Sequence, residues 1–361
     1  MPRVIGIDPG TVSIDICGLD DGRLFLDRSL PTGEALADPS IVVGLLEAAG
    51  PLDFVAGPSG YGLPLTAARD LTDTDLTLAY LARAGEAGGI GGLRSLTRAL
   101  AASGLPVVLT PGVVHLGSVP AHRKVNRVDM GTADKVCAAA LAVREQAARR
   151  GCREREVSCI LLELGGAFTA ALAVQHGQIV DGMGGSSGPL GMRSAGALDG
   201  EVAFLAGVVT KRLLFQGGAA AIAGDADAAA EEIAAPQTRE GRVAWEAYVE
   251  SAVKAVASLS VSVPSCDLIL SGRVSHLPAV RDEIAGRLAT MMPDASVHVL
   301  RGFAAVAKHA AQGAALMADG LAGGTSAALV EALGIREARG TVLDHLYVIS
   351  AAAARERLGI L

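Results

Sequence analysis

The residues with chemistry to offer begin at the first turn of the chain. Val4, Ile5 and Ile7 read as a buried strand, and Asp8 stands at its tip. Pro9-Gly10-Thr11 then turns the chain into a second alternating run from Val12 to Cys17. Gly10 lets the backbone come close to an anion, with neighbouring amides free to aim N–H groups at it. Thr11 and Ser13 add hydroxyl donors, and Asp8 can hold Mg2+ beside a polyphosphate, usually through water. The same residues also fit an ordinary hairpin with an Asx-type turn.

A second stretch repeats that plan. Ser158 to Glu163 reads as a strand ending in an acid, Leu164-Gly165-Gly166 turns, and Phe168 to Val174 returns. Asp21-Gly22 closes the first unit and His176-Gly177 the second, each a hairpin signal into a third strand. A repeat at this separation implies two domains whose anion-binding hairpins face one polyphosphate.

Between the two units, His122 to Lys135 holds the densest set of titratable side chains in an otherwise apolar chain, including Arg123, Asp129 and Asp134. Cations beside carboxylates suit an anionic substrate and a base; a solvated strand-to-helix connection is the other reading. The Gly57–Pro64 run, with Arg69 soon after it, is a candidate site wall or a plain surface loop. Gly88 to Gly92 precedes a helix but carries no Lys, so it reads as a flexible turn rather than a phosphate loop. Gly182 to Gly191 is a further flexible loop, with Arg193 just beyond it.

The elements that must position these groups alternate along the chain. Strands are expected over 52–56, 106–110, 178–181, 267–270 and 297–300. Helices are expected over 39–49, 93–103, 133–146, 201–215, 239–259, 278–289, 304–317 and 325–333, with another beginning near Leu343. Thr132 is placed to cap the helix at Ala133.

Composition narrows the classes. Half of the 361 residues are apolar, which allows a sizeable core and two or more domains. The net charge is −7 with no basic block, so a nucleic-acid partner is not expected. Five Cys form no CxxC and no His lies at metal-ligand spacing from them, so reduced thiols and a cytoplasmic location are expected. No signal peptide and no uninterrupted apolar run of about 18 residues is present, so no membrane association is expected.

The order of these features resembles the acetate and sugar kinase, heat-shock cognate and actin (ASKHA) superfamily. Gly6 to Ser13 looks like its first phosphate motif, Glu163 to Thr169 like the second, and Leu268 to Arg273 like its adenosine motif. The helices at Ala133 and Ala304 look like its two interdomain connecting helices. Within the superfamily the chain is most similar to a family of predicted butyrate kinases, on Gly57–Pro64, Asn126–Lys135 and the run from Glu163 to Gly200 with Arg193.

The resemblance implies an α/β fold of two ribonuclease H-like (actin-like ATPase) domains, each a mixed sheet flanked by helices, with an interdomain nucleotide cleft. The first domain would span 1–140, completed by C-terminal helices at about 318–361, and the second 141–317. It further implies ATP and Mg2+, an acetate- or butyrate-kinase type of phosphotransfer to a small carboxylate (a short-chain fatty acid), and a homodimer as an option. On that reading Asp8 and Glu163 handle the metal. Gly10, Thr11, Ser13, Gly165, Gly166 and Thr169 carry the phosphates, and Gly272 and Arg273 face the adenosine. Arg69, Arg123 and Arg193 would neutralise a carboxylate acceptor; for a hydroxyl acceptor, Asp134 or Asp129 would take its proton. One departure stands out: acetate and butyrate kinases open the second phosphate motif with a His, where this chain has Glu163. That departure favours the alternative of an ATP-hydrolysing switch that phosphorylates no metabolite.

Overall fold

Alternating Val and Ile in the first strand, and near-continuous apolar runs in its parallel neighbours, give sheets buried on both faces. The structure, a computed structural model, describes residues 2–57, 60–82 and 91–360. Among these, the first sheet is built from β1 (Arg3–Pro9), β2 (Ser13–Asp20), β3 (Arg23–Pro31), β4 (Phe54–Gly57), β5 (Thr66–Ala67) and β6 (Val107–Leu109). Its order is β3-β2-β1-β4-β6-β5. The second contains β7 (Cys159–Leu164), β8 (Thr169–Gln175), β9 (Gln178–Met183), β10 (Asp267–Ser271) and β11 (Val297–Val299), in the order β11-β10-β7-β8-β9.

The sheets share a plan. Each opens with three antiparallel strands and then adds parallel ones beside the first of the three. The register repeats too: Asp8 pairs with Asp15 and Glu163 with Ala170, seven residues on in each case.

Two helices fill the space between the sheets. Ala133–Arg150 packs on β7 and β8, while His309–Leu321 packs on β1, β2 and β4, and the two helices pack on each other. They cross at Gly313, where a Cβ would stand 1.8 Å from the carbonyl oxygen of Cys137, so only glycine permits so close an approach. The Ala-rich faces of both helices join Val4, Leu161 and Leu172 in one apolar core that runs from sheet to sheet.

The segment entering His309–Leu321 is pinned throughout. Seven consecutive backbone N–H groups, Arg301 to Ala307, donate to side-chain oxygens of Glu145, Gln312 and Asp27. This corrects the helix expected over 304–317: Asp27 and Gln312 take the amides of 303–307, and the helix starts at His309. The expected 201–215 helix is likewise broken, because Gly207 turns the chain at φ +74° and a β-branched run follows. What remains is a helix Gly200–Ala206 and a 3₁₀ turn Lys211–Phe215. The last helix runs over Ala351–Leu358 rather than from near Leu343. The turn expected over Gly88–Gly92 falls largely outside the described residues. Among the described residues, no helix is long and apolar enough to cross a membrane.

Candidate functional site

Both acid-and-glycine hairpins have the same internal bond. Gly10 N–H donates to Ser13 O at 2.9 Å, and Gly165 N–H to Phe168 O at 3.0 Å. These two amides therefore hold the turns, which leaves the outer residues Thr11 and Gly166, both exposed, as the open face of each. Ser13 is occupied locally, its hydroxyl donating to Asp15 Oδ2 at 2.8 Å.

Asp8 lies on the face of β1 that looks toward the connecting helices, and it is buried. Glu163 lies on the corresponding face of β7, the side that carries Leu161 toward the same helices. Between them stands the N-terminus of helix Ala133–Arg150. Lys135 Nζ lies 2.8 Å from Asp134 Oδ2 and 2.8 Å from Glu163 Oε1. One ammonium thus joins the first turn of this helix to the second sheet. The Thr132 hydroxyl donates to Asp134 Oδ1, so it orients that carboxylate instead of capping the helix backbone as the sequence suggests.

This arrangement sorts the carboxylates electrostatically. Burial, and then the charge of Asp134, push Asp8 up to about 7, with Lys308 and Lys135 opposing. Burial also presses Asp134 upward, but Lys135 and the Thr132 hydroxyl outweigh it and hold Asp134 below the usual carboxylate range. Burial raises Glu163 despite Lys135. Lys135 loses something to burial and is held above its ordinary range by its two carboxylates.

Asp8, Asp134 and Lys135 open onto a cavity of about 310 Å3, whereas Glu163, Gly165 and Gly166 do not line it. Asp8, Gly10 and Thr11 form one end, and Asp129, Asp134 and Lys135 one side. Tyr61, from the loop after β4, and Phe168, from the second hairpin, face across it. Gly184, in the loop after β9, approaches so closely that a Cβ would meet Asp129 Oδ1 at 1.7 Å. Ser186 from that loop donates both its N–H and its hydroxyl to Asp129 Oδ2 at 2.9 Å. With Gly131 N–H on Oδ1 at 3.1 Å, Asp129 serves as a clasp between the two sheets' loops.

Other candidates lie elsewhere. Thr169 is buried on the opposite face of β8, with Tyr248. Arg69 is on the surface beside Asp70, its side chain 81% exposed. Arg123 is turned to β9, where it donates to Val180 O at 2.8 Å and lies near Asp181. Arg193 pairs with Asp227 at 3.2 Å. None of these three arginines lines the cavity. Gly272, at φ +83°, brings the turn after β10 against the Leu164 backbone, beside the second hairpin, and Arg273 next to it is exposed.

One cation carries no sequence motif. Lys308 Nζ lies 2.9 Å from the buried Asp15 and 3.5 Å from Ser13 O, against Gly10 of the first hairpin. It arrives from the end of the pinned segment, nearly three hundred residues away in the chain. The three-dimensional return of the second connecting helix to β1 is what places it.

As to a metal, no group of three or more His, Cys, Asp or Glu among the described residues converges on a cation position. The residues nonetheless fit Mg2+ held through one or two carboxylates and a phosphate. Asp8 lines the cavity, and Glu163 Oε2 is a buried oxygen without a hydrogen-bond partner.

Two mixed sheets of one plan, flanked by helices, joined by a pair of crossing helices and each presenting an acid-and-glycine hairpin, make an α/β fold that is also the fold of solved acetate kinases. The chain belongs to the family described as Protein of unknown function (DUF1464), whose profile matches residues 6–348. Among solved structures it is similar to acetate kinase of Porphyromonas gingivalis, with a TM-score of 0.61 and 13% identity over 87% of this chain and 98% of that one. Acetate kinase of Entamoeba histolytica is also similar, with a TM-score of 0.58 and 11% identity over 80% of this chain and 87% of that one. At these identities the likeness is one of fold. No curated protein matches the sequence.

Proposed function

We propose that this chain is an ATP-dependent phosphotransferase whose acceptor presents a hydroxyl to Asp134. The observation that carries the reading is one cavity lined by the acid and turn of the first hairpin (Asp8, Gly10, Thr11), by Phe168 of the second, and by Asp134 and Lys135, with Lys135 reaching Glu163 behind it. Phosphoryl transfer needs positioning and charge neutralisation more than covalent help.

In this reading Thr11 and Gly166, on the open faces of the turns, meet the phosphates, with Gly10 and Gly165 shaping those turns. Gly272 and Arg273 face the adenosine. Asp8 and Glu163 hold Mg2+, which when bound neutralises charge on the phosphates. Lys308 adds a cation beside the first hairpin. Asp134, kept ionised by Lys135 and aimed by Thr132, accepts the acceptor's proton. Asp129 accepts three hydrogen bonds that tie two loops together, from Gly131 and twice from Ser186, against one at each oxygen of Asp134, so we assign it to holding the cavity wall.

The butyrate kinase-like alternative, a carboxylate acceptor, has less support. Arg69, Arg123 and Arg193 are engaged outside the cavity, and Lys135 is taken by two carboxylates. The test is ATP turnover by the purified protein with a panel of neutral hydroxyl compounds and a panel of short-chain carboxylates. The expected result is stimulation by a hydroxyl compound. Asp134→Asn should then lower kcat by about 10²–10⁴-fold with the KM for ATP within about twofold. Stimulation by short-chain carboxylates alone, or turnover indifferent to every acceptor, would overturn the reading; the second outcome would favour an ATP-driven switch.

A further inference from the structure

The cavity has a wall that no phosphate motif explains. Residues 195–217 leave the second sheet's loops as one excursion, closed at its base by a bridge between Ser194 and Gly217. Gly218 N–H donates to Arg193 O at 3.1 Å, and a Cβ on Gly218 would meet the Arg193 backbone at 2.4 Å. The base is therefore fixed while the middle reaches out. Its far part, helix Gly200–Ala206, stands in solvent, with Phe204 and Leu205 about four-fifths exposed. Its near part, Lys211–Phe215, bends back over the cavity. There Phe215 meets Phe168 edge-on, with ring centroids 4.9 Å apart, and Lys211 Nζ lies 5.0 Å from the Tyr61 ring. An excursion from the second sheet thus lands on a tyrosine carried by the first.

The chemistry of the enclosed space follows from its walls. The acceptor side of the cavity carries the carboxylates of Asp129 and Asp134, while Lys135, which also lines the cavity, is already shared by Asp134 and Glu163. Beyond the metal-bound phosphates, an anionic acceptor would find no lining cation that is not already paired with a carboxylate. Most of the remaining surface is apolar, with Leu36, Tyr61 and Leu93 on one side and Phe168, Leu214 and Phe215 on the other, interrupted by hydroxyl residues such as Thr32, Thr110 and Ser186. Burying apolar surface against these walls favours a ligand that carries it.

Resting on the phosphotransferase reading, we infer that the acceptor is an uncharged hydroxyl compound with an apolar flank, and that Phe215 on this excursion sets how long that flank can be. The excursion is then the specificity element of the site, and substituting its inner tip changes which acceptor is taken without touching the phosphate hairpins.

The experiment uses butane-1,2-diol, hexane-1,2-diol and octane-1,2-diol as probes, with hexanoate as the anionic counterpart. Binding is measured by calorimetry on the full chain without nucleotide, and ATP turnover is measured in parallel. The wild type should bind diols in preference to hexanoate. Phe215→Ala, and more mildly Phe215→Leu, should shift preference toward octane-1,2-diol by about tenfold relative to butane-1,2-diol, leaving the KM for ATP unchanged. Phe204→Ser, at the solvent end of the same excursion, should change nothing. A length shift in binding without any turnover would sustain the wall and sink the phosphotransferase reading. Diol-stimulated turnover with a length preference indifferent to both Phe215 variants would overturn the wall and leave that reading intact. Failure of every diol to bind would overturn the acceptor class, whether or not hexanoate binds.

Discussion

Lys135 Nζ and Glu163 Oε1 lie 2.8 Å apart, and this contact ties the first turn of helix Ala133–Arg150 to the tip of the second sheet's central strand. The same ammonium also holds Asp134. A single side chain thus ties a part-buried carboxylate of each sheet's unit in place and opposes the burial that raises Glu163.

Lys135→Met should therefore be costly. Removing the cation leaves Glu163, 13% exposed, and Asp134, 30% exposed, without it, a loss of about 2–3 kcal/mol once solvent screening at Asp134 is allowed for. Both carboxylates would then titrate at raised values in the folded state, so the folded protein would hold protons that the unfolded chain has released. The deficit should accordingly be smaller at pH 5 than at pH 8. Urea unfolding of wild type and variant at both values checks this; a deficit independent of pH would argue that the bridge carries no charge compensation.

Asp8 gives a second titration, in the wild type. Its carboxyl is raised to about 7 in the folded protein, against about 3.9 in an unfolded chain. Between these values the folded state binds the extra proton, so stability falls as pH rises from about 4 to about 7. Asp8→Asn removes this slope. In divalent-free buffer the variant should match or exceed wild-type stability at pH 8, and it should lose stabilisation by Mg-ATP. Denaturation midpoints at pH 5 and pH 8, with and without Mg-ATP, give the answer. A variant still stabilised by Mg-ATP as strongly as wild type would remove Asp8 from the metal.

Asp27 behaves oppositely. Its carboxylate accepts the N–H groups of Ala305, Val306 and Ala307 at 2.6–3.0 Å, and although burial presses it upward, these bonds hold it below its ordinary value. Its contribution is present above the unfolded value of about 3.9 and is lost as pH falls through the lower folded value. Asp27→Ala should cost about 2 kcal/mol at neutral pH. It should also speed hydrogen exchange at residues 305–307 selectively, which exchange mass spectrometry can read. Unchanged exchange there would mean the segment is held by something other than Asp27.

The strand–acid–glycine repeat was legible in the sequence because both its halves are local: alternation, a turn and a hairpin signal each lie within about twenty residues. The structure returns it with matching register at Asp8 and Glu163. The site's cations were not legible in this way. Lys308 reaches Gly10 only through the return of the second connecting helix, and no local pattern encodes that. Arg193 looked available after a glycine-rich loop, but Asp227, thirty-four residues on, claims it. The helix expected over 201–215 had the right composition, yet Gly207 and the valines after it interrupt it. That interruption is what turns Leu214 and Phe215 inward.

The crossing of Gly313 over Cys137 lies four residues into each connecting helix, His309–Leu321 and Ala133–Arg150. It works as a fulcrum set close to the chemistry. A scissoring of about 15° about that point would displace the helix starts by only about 1.5 Å, but the far end of the longer helix by about 5 Å. Large breathing of the outer body is thereby geared down to a fine adjustment where Asp134 and Lys135 sit.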